Sequence, residues 1–507
     1  MDRKWWTLVA VCVATFMLLL DITVVNVALP DIQRDLDASF SSLQWVVDAY
    51  SLTLAAFLLT AGSFADRIGR RRIFSIGFAV FTFASFLCGI SGDPTLLNLA
   101  RGLQGIGGAA MFATSLALIA QEFQGRERGT AIGAWGATIG GAVAVGPLVG
   151  GALTEGLGWE WIFFVNVPIG IGAIVLTTTK LANLKAPDPE PIDWPGLATF
   201  SLGLFALIFA LIRGNPEGWS SPQIVGCLAA AAVLLVAFFV VEHRQDHGML
   251  DLSLFRKPAF AGVSAVAFGL SAGMFSMFLY ITLYIQGVLG YSPLEAGVRF
   301  LPITLLSFFV APIAGKLSAR IPVRVLLGLG LALVGGGLLL MHGINLGDDW
   351  TTLLAGFLVA GAGIGMVNPG IASTAIGVVS PVKAGMASGI SNTFRQMGIA
   401  TGVAALGVIF QSRISSRLSE LAPAAPPGFA DAVSSGGAQA AIQAAPRESR
   451  AELATAANQA FISGFNEILI VGAAVAIAGA VLGFGLVRSR DFVAEHDGQP
   501  ATEPVAA

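Results

Sequence analysis

Charge is scarce in this chain. Of its 507 residues only 12% are Asp, Glu, Lys or Arg, against 55% that are apolar, and the mean hydropathy is +0.78. A chain so short of charge cannot cover a water-soluble globule, so most of it must be solvated by lipid. The net charge of -3 lacks the basic excess of a nucleic-acid binder. Only three cysteines occur, Cys12, Cys88 and Cys227, each inside an apolar run, which argues against a disulfide framework and leaves them as small core residues. Four histidines without a His-Glu-x-x-His sequence argue against a zinc hydrolase, and the His243/His247 pair in a polar stretch reads as a solvated face. A Walker A loop is missing too: Gly315-Lys316 is followed by Leu317, and Val310 stands where the first glycine belongs. The sequence therefore offers no catalytic residue, no metal set and no cofactor-binding loop.

What is abundant is apolar sequence in runs of about 20 residues, the length that crosses a bilayer as a helix. Fourteen such runs are expected: 5–29, 43–65, 73–91, 95–120, 129–153, 161–181, 194–213, 222–242, 259–287, 294–317, 323–343, 351–379, 384–411 and 465–487. The first is too long for a signal peptide, carries Asp21 and lacks a small-residue cleavage site before Pro30, so it is expected to stay in the mature protein. With the N-terminus inside, nineteen of the 28 lysines and arginines fall on the cytoplasmic side. Six fall outside, Arg213 among them, and Arg101, Arg299 and Arg395 lie within spans. A miscounted span would scramble that alternation. Both termini are thus expected in the cytoplasm and the chain in the plasma membrane.

A weak repeat divides the chain. Gly62-x-x-x-Asp66-Arg67-Ile68-x-x-Arg71 is echoed by Gly315-x-x-x-Ala319-Arg320-Ile321-x-x-Arg324, and Gly105-Ile106-Gly107 by Gly363-Ile364-Gly365. The expectation is an all-α polytopic membrane protein: a six-helix bundle at 1–185, a polar linker and inserted two-helix hairpin at 186–252, and a second six-helix bundle at 253–487. An outer segment at 412–464 is too poor in large apolar residues for a core of its own, with a short amphipathic helix expected at Ala451 to Phe461, and the tail 488–507 reads as disordered.

Ionisable groups inside spans cost about 2.5 to 3.5 kcal/mol each at the helix centre on insertion scales, so they are seldom kept without a role. Asp21, Asp48 and Arg101 all come out roughly 8 to 12 Å below the outer surface at the rise of a helix, which makes a shared network possible. An aspartate beside an arginine suits reversible protonation, though a static ion pair remains the competing reading, and Asp48 can equally lie at the interface. Arg395 falls near the midplane, where a lone cation needs a carboxylate, carbonyls or an anionic ligand. Glu295 and Arg299 are explained as a local helix pair.

Span five carries Gly129, Gly133, Gly136, Gly140, Gly141, Gly146-Pro147, Gly150 and Gly151, a flat face for one close helix neighbour with a kink at Pro147. Span nine offers Met274, Met277, Tyr280 and Tyr284, a flexible aromatic surface fit either for greasy ligands or for packing. The connection Gly62 to Arg72 packs five charged residues between two apolar runs, with Gly62 and Gly69 permitting close backbone approach.

Taken together, GSFADRIGRRR at 62–72, LDITVVNVALP at 20–30, ARGLQGIGGA at 100–109, GAVAVGPLVGG at 141–151, WEWIFFVNVPIG at 159–170 and NTFRQMGIATG at 392–402 resemble the major facilitator superfamily, specifically its fourteen-span drug:proton antiporter branch. Asp48 departs from the branch, where Thr is commoner. The resemblance implies a monomeric secondary exporter of small lipophilic drugs or natural products, with protons and membrane lipid as its other partners. In that scheme Asp21 takes a proton from outside and Arg101 modulates it, while Gly62, Asp66, Arg67, Gly69, Arg70 and Arg71 govern an inner gate. Gly141, Gly146, Pro147, Gly150 and Gly151 mark the antiporter helix. Arg395, with Met277, Tyr280 and Tyr284, is assigned to the substrate cavity. A carboxylate at 66 is further expected to favour the N-terminal end of span thirteen near Gly385, in one of two conformational states. Import by proton symport, and a receptor or scaffold that moves nothing, stay open as rival readings.

Overall fold

The computed structural model describes residues 2–38, 40–182, 192–245, 250–318, 320–380 and 383–492, and every regular element among them is helical. In lipid this follows from backbone chemistry, since a single helix satisfies its own N–H and C=O groups where no water can. The crossing helices are α1 (Arg3–Asp35), α2 (Phe40–Ile68), α3 (Arg70–Gly89), α4 (Pro94–Glu122), α5 (Gly125–Leu157), α6 (Trp161–Lys180, broken at Val165), α7 (Trp194–Glu217) and α8 (Pro222–Arg244). They continue as α9 (Pro258–Val288), α10 (Pro293–Leu317), α11 (Val323–Met341), α12 (Leu354–Gly377) and α13 (Ala384–Leu421). Two short helices, α14 (Phe429–Ser434) and α15 (Ala438–Ala444), precede the last crossing, α16 (Arg450–Leu486). Thirteen of these stretches are long and apolar enough to cross a bilayer. The fourteenth is α5, 33 residues long with an apolar run at Leu148–Leu157.

Local sequence sets several of the boundaries. Asp93, Asp193, Ser221 and Ser292 each stand just before a helix and bond its first-turn N–H groups, and each helix they start has Pro in its first turn. At α10 the device is a full capping box between Ser292 and Glu295. Gly69, with φ of 118°, makes the reversal between α2 and α3 that a side chain would resist.

α1 to α6 form one bundle, α9 to α13 with α16 form the other, and α7 pairs with α8. The first bundle is cored by residues such as Met17, Phe78, Met111 and Trp135, the second by Met274, Val334, Phe357 and Phe465. At the end carrying the arginine-rich connections, here called the basic end, the cores merge. Ala372 and Ile376 of α12 and Ala384 of α13 join the cluster of Leu116 to Ala120 on α4. α7 lies against both bundles: its Ser201 hydroxyl bonds Thr60 of α2 at 2.9 Å, and its Asn215 amide donates to Ala404 O of α13 at 3.1 Å. The hairpin is thus seated on the seam between α2 and α13.

The structure adds to and changes several details. α9 is not uniform, because π turns at Ser271–Phe275 and Tyr284–Val288 interrupt it. The segment 412–464 is largely helical: α13 runs on to Leu421, and Ala451 to Phe461 forms the first turns of α16 instead of a separate helix. Phe429 and Val433 need no core of their own there, since they join a cluster with Leu418 and Leu453. Arg213 is not on an outer loop but buried on α7, 7% exposed. The tail expected to be disordered from 488 begins ordered, with a 3-10 turn at Ser489–Asp491, Asp491 accepting the Ala259 N–H at 3.0 Å and Phe492 packed on the second core. The linker residues 183–191, His247, Ala319 and residues 493–507 lie outside the described residues.

Candidate functional site

Asp21, on α1, is buried and meets α4 through two residues one turn apart, Arg101 and Gln104. Arg101 Nη1 donates to Asp21 Oδ2 at 2.5 Å, and Gln104 Nε2 donates to Oδ1 at 2.8 Å. Asn166 of α6 adds a longer contact to the same Oδ1, 3.4 Å. Arg101 also donates to Val46 O of α2 at 2.8 Å and to Gln104 Oε1 at 2.6 Å, and its guanidinium lies 4.4 Å from the centre of the Tyr50 ring. Gln104 completes its set by donating to Ser85 Oγ of α3 at 2.8 Å. Six helices cross the first bundle, and five of them, α1 to α4 and α6, converge on this one ion pair.

Asp21 is 2% exposed and Arg101 1%. Such a pair is held by charge and hydrogen bonds together, and removing one partner strands the other. Protonating Asp21 would do that chemically: the carboxylate loses its charge and Arg101 loses its counter-ion. A proton arriving here therefore favours any arrangement of α1 and α4 in which Arg101 finds other acceptors.

Asp48 does not enter this network. Val46 and Tyr50 face α4, which turns Asp48 toward α7, where the charge acting on it is Arg213. Arg213 in turn bonds Gln44 at 3.0 Å and Glu217 at 2.7 Å and lies 5.6 Å from the Trp45 ring. Gln104, Asn166, Tyr50 and Arg213 are the residues that span-by-span reading misses. The i,i+3 spacing of Arg101 and Gln104 was the available clue.

At the basic end, Asp66 of α2 reaches the other bundle. Its two carboxylate oxygens accept the backbone N–H groups of Gly385 at 3.0 Å and Met386 at 2.8 Å, in the first turn of α13. Arg70 pairs with Asp66 at 3.0 Å and donates to Ala117 O, while Arg71 donates to Leu181 O at 3.1 Å. Arg67 is half-buried. A Cβ on Gly62 would strike the Gly385 carbonyl, and one on Gly385 would come within 2.6 Å of Asp66 Oδ1.

The glycines of α5 serve three neighbours, not one: α10, α1 and, at Gly136, Pro369 of α12. Gly129, Gly133 and Gly140 lie against Gly315, Pro312 and Thr304 of α10, whereas Gly146 and Gly150 lie against Thr23 and Val24 of α1. Gly141 touches the Phe308 ring and Gly151 only the tip of Leu294. Pro147 is within α5, and its side chain lies outside the described residues.

In the second bundle, Tyr280 donates to Val403 O at 2.9 Å and packs on Phe410, Tyr284 stacks on Phe465 at 5.2 Å, and Met277 is fully buried. All three pack within the core in this conformation. Arg395 is buried on α13 and donates to Asn368 Oδ1 of α12 at 3.0 Å.

The Major Facilitator Superfamily model matches residues 11–403. Among curated proteins, the tetracenomycin C resistance and export protein of Streptomyces glaucescens is 33% identical over 494 residues, covering 95% of this chain and 91% of its own. The puromycin resistance protein pur8 of Streptomyces alboniger is 37% identical over 423 residues, 82% of this chain and 84% of its own. The multidrug resistance protein Stp of Mycobacterium tuberculosis is 36% identical over 413 residues, 81% of this chain and 77% of its own. Among solved structures, the human organic anion transporter MFSD10 superposes with a TM-score of 0.62 at 14% identity, over 94% of this chain and all of that one, a likeness of fold. The chain is a multi-pass membrane protein belonging to the major facilitator superfamily, a family of transporters and not of enzymes.

Proposed function

We propose that this transporter exports small lipophilic compounds in exchange for protons, by alternating access, as a monomer in the plasma membrane. The observation that carries the proposal is the Asp21–Arg101 pair, a titratable carboxylate and its counter-ion buried inside the first bundle. An exporter needs a group whose protonation changes which conformation is stable, and this pair meets that need. The names of the relatives, resistance and export proteins for tetracenomycin C and puromycin among them, support lipophilic natural products or drugs as the cargo.

The basic end is read as cytoplasmic, with both termini there, because lysine and arginine collect on that side. The working units are then the bundles 1–185 and 253–487, with the hairpin 186–252 between them. Asp66 is the lock of the inner gate, Arg70 and Arg71 hold its loop to α4 and to Leu181, and Gly62 and Gly69 let it form.

The test is resistance profiling against a chemically diverse panel, with and without a proton uncoupler, followed by flux in everted vesicles. Expected is uncoupler-sensitive resistance, and accumulation in vesicles acidified inside. Accumulation driven by the opposite proton gradient would identify a symporter. Resistance indifferent to the uncoupler, together with no flux, would overturn transport by proton exchange.

A further inference from the structure

Arg101 and Arg395 are both buried within spans of this protein, one in each bundle, and the fold treats them differently. Arg101 has a carboxylate, an amide oxygen and a backbone carbonyl. Arg395, 7% exposed, has one hydrogen-bond partner among the described residues, Asn368 Oδ1 at 3.0 Å, and no carboxylate. A guanidinium offers five N–H groups and can shed none of its charge, so most of its bonding capacity is unspent by the protein.

The groups around it deepen the imbalance. Asn368 turns its oxygen to Arg395, which leaves its Nδ2 without a partner, and Asn392, one turn before Arg395 on α13, has its own Nδ2 unpartnered. Both side chains are almost wholly buried, at 1% and 2% exposed. The open positions on these three side chains are donors, and the neighbouring Ser388 and Thr393 hydroxyls of α13, also without a partner, can donate as well. Phe275, in the π turn of α9, lies 6.0 Å from the guanidinium and supplies an apolar wall. A cation with one amide oxygen for a partner and two unpartnered amide donors are complementary to oxygen atoms that carry negative charge.

We infer that Arg395, Asn368 and Asn392 form the head-group subsite of the transported compound and select molecules that carry a carboxylate, phenolate or enolate on an apolar body. This rests on the proposed transport of small lipophilic compounds. It adds the polar group that such a compound must present to α12 and α13. It also explains why Arg395 tolerates burial without a fixed counter-ion: the substrate brings one and takes it away.

The test is binding of pyrenebutyrate and of its methyl ester to the purified full-length protein, followed by energy transfer from tryptophan, at neutral pH and without a proton gradient. The wild type is expected to bind the acid at least about tenfold more tightly than the ester, the worth of a charge-assisted bond. Arg395→Gln should remove that preference by weakening binding of the acid to the level of the ester. Asn392→Ala, which keeps the buried charge, should reduce it by about threefold and guards against a folding defect in the first variant. Equal binding of acid and ester by the wild type, or a preference that survives Arg395→Gln, overturns the subsite. Because no gradient is applied, a preserved preference in a protein that shows no proton-linked flux would refute the exchange reading alone.

Discussion

The Asp66 carboxylate of α2 caps α13 from the opposite bundle, accepting the Met386 N–H at 2.8 Å. α13 has no side-chain cap of its own, since the residue before it, Lys383, makes no such bond. The first N–H groups of a helix need acceptors, and an anion there also meets the positive end of the helix dipole. In the proposed cycle Asp66 supplies both needs only while the two bundles are closed at the basic end, so its contact would belong to one conformation.

Replacing Asp66 should therefore move the balance between conformations. Loss of a cap costs about 0.5 to 2 kcal/mol, a shift of roughly two- to thirtyfold away from the closed basic end. A cysteine at Leu116, buried where the two cores merge, reports it through labelling by an impermeant maleimide in a background lacking Cys12, Cys88 and Cys227. Asp66→Ala should raise labelling from the basic side, and Asp66→Asn, which keeps one acceptor, should raise it less. Unchanged labelling in both variants would refute the lock.

The Asp21–Arg101 pair makes a separable prediction. Asp21→Asn leaves a buried guanidinium without its counter-ion and should cost about 3 to 5 kcal/mol, read as a lower melting temperature in detergent. Adding Arg101→Gln removes the stranded charge and should restore most of that stability. If the pair is only a strut, the double variant also regains proton-driven flux. If Asp21 carries the proton, the double variant is stable and uncoupled.

Depth along the chain is what makes Asp21 and Arg101 legible in the sequence, because helical rise converts sequence position into height. Azimuth is not given by height. Asp48 stands at the same level but roughly 200° around α2 from Val46, which sends it to α7 instead of α4. Gln104 and Asn166 carry no charge and so stand out less among apolar neighbours, although they complete the network. The fourteen crossings are legible because lipid demands continuous apolar helices. The seat of α7 between α2 and α13 is not, since it rests on a few polar contacts and an apolar cluster of Leu52, Leu204, Ile208 and Ala400 that resembles any other lipid-compatible face.

That seat leads to a third prediction, that the hairpin travels with the first bundle. Toward α2, α7 has the Thr60–Ser201 bond, the Arg213–Gln44 bond and the edge-on contact of Trp194 with Phe64. Toward α13 its hydrogen bond is Asn215 to Ala404 O alone among the described residues. A disulfide formed between cysteines at Thr60 and Ser201 should leave transport intact, whereas one between cysteines at Asn215 and Gly407 should block it until reduced. The reverse pattern would mean that the hairpin rides with the second bundle.

The faded repeat offers the last prediction, because its two glycines occupy matching seams. Gly62 approaches the Gly385 carbonyl across α2 and α13, and Gly315 approaches the Gly129 carbonyl across α10 and α5. The first seam has the Asp66 lock beside it. In the second copy Ala319 stands in the aspartate's place, so that copy lacks the carboxylate and close backbone packing of Gly315 on Gly129 and Gly133 carries part of that side. A Cβ at Gly315 would come within 2.8 Å of Gly133 Cα, against backbone that cannot swing aside. Overpacking of this kind costs about 1 to 3 kcal/mol and is felt only when the seam is closed. Gly315→Val should thus favour the open basic end by roughly five- to 150-fold, seen as faster maleimide labelling at Leu116→Cys. Gly226→Ala, on the α8 face where no atom lies within 4 Å of the added methyl, should leave that labelling unchanged. If Gly315→Val labels no faster than the wild type, the α5–α10 seam does not open during the cycle, and the two bundles pivot on it while only the Asp66 side gates.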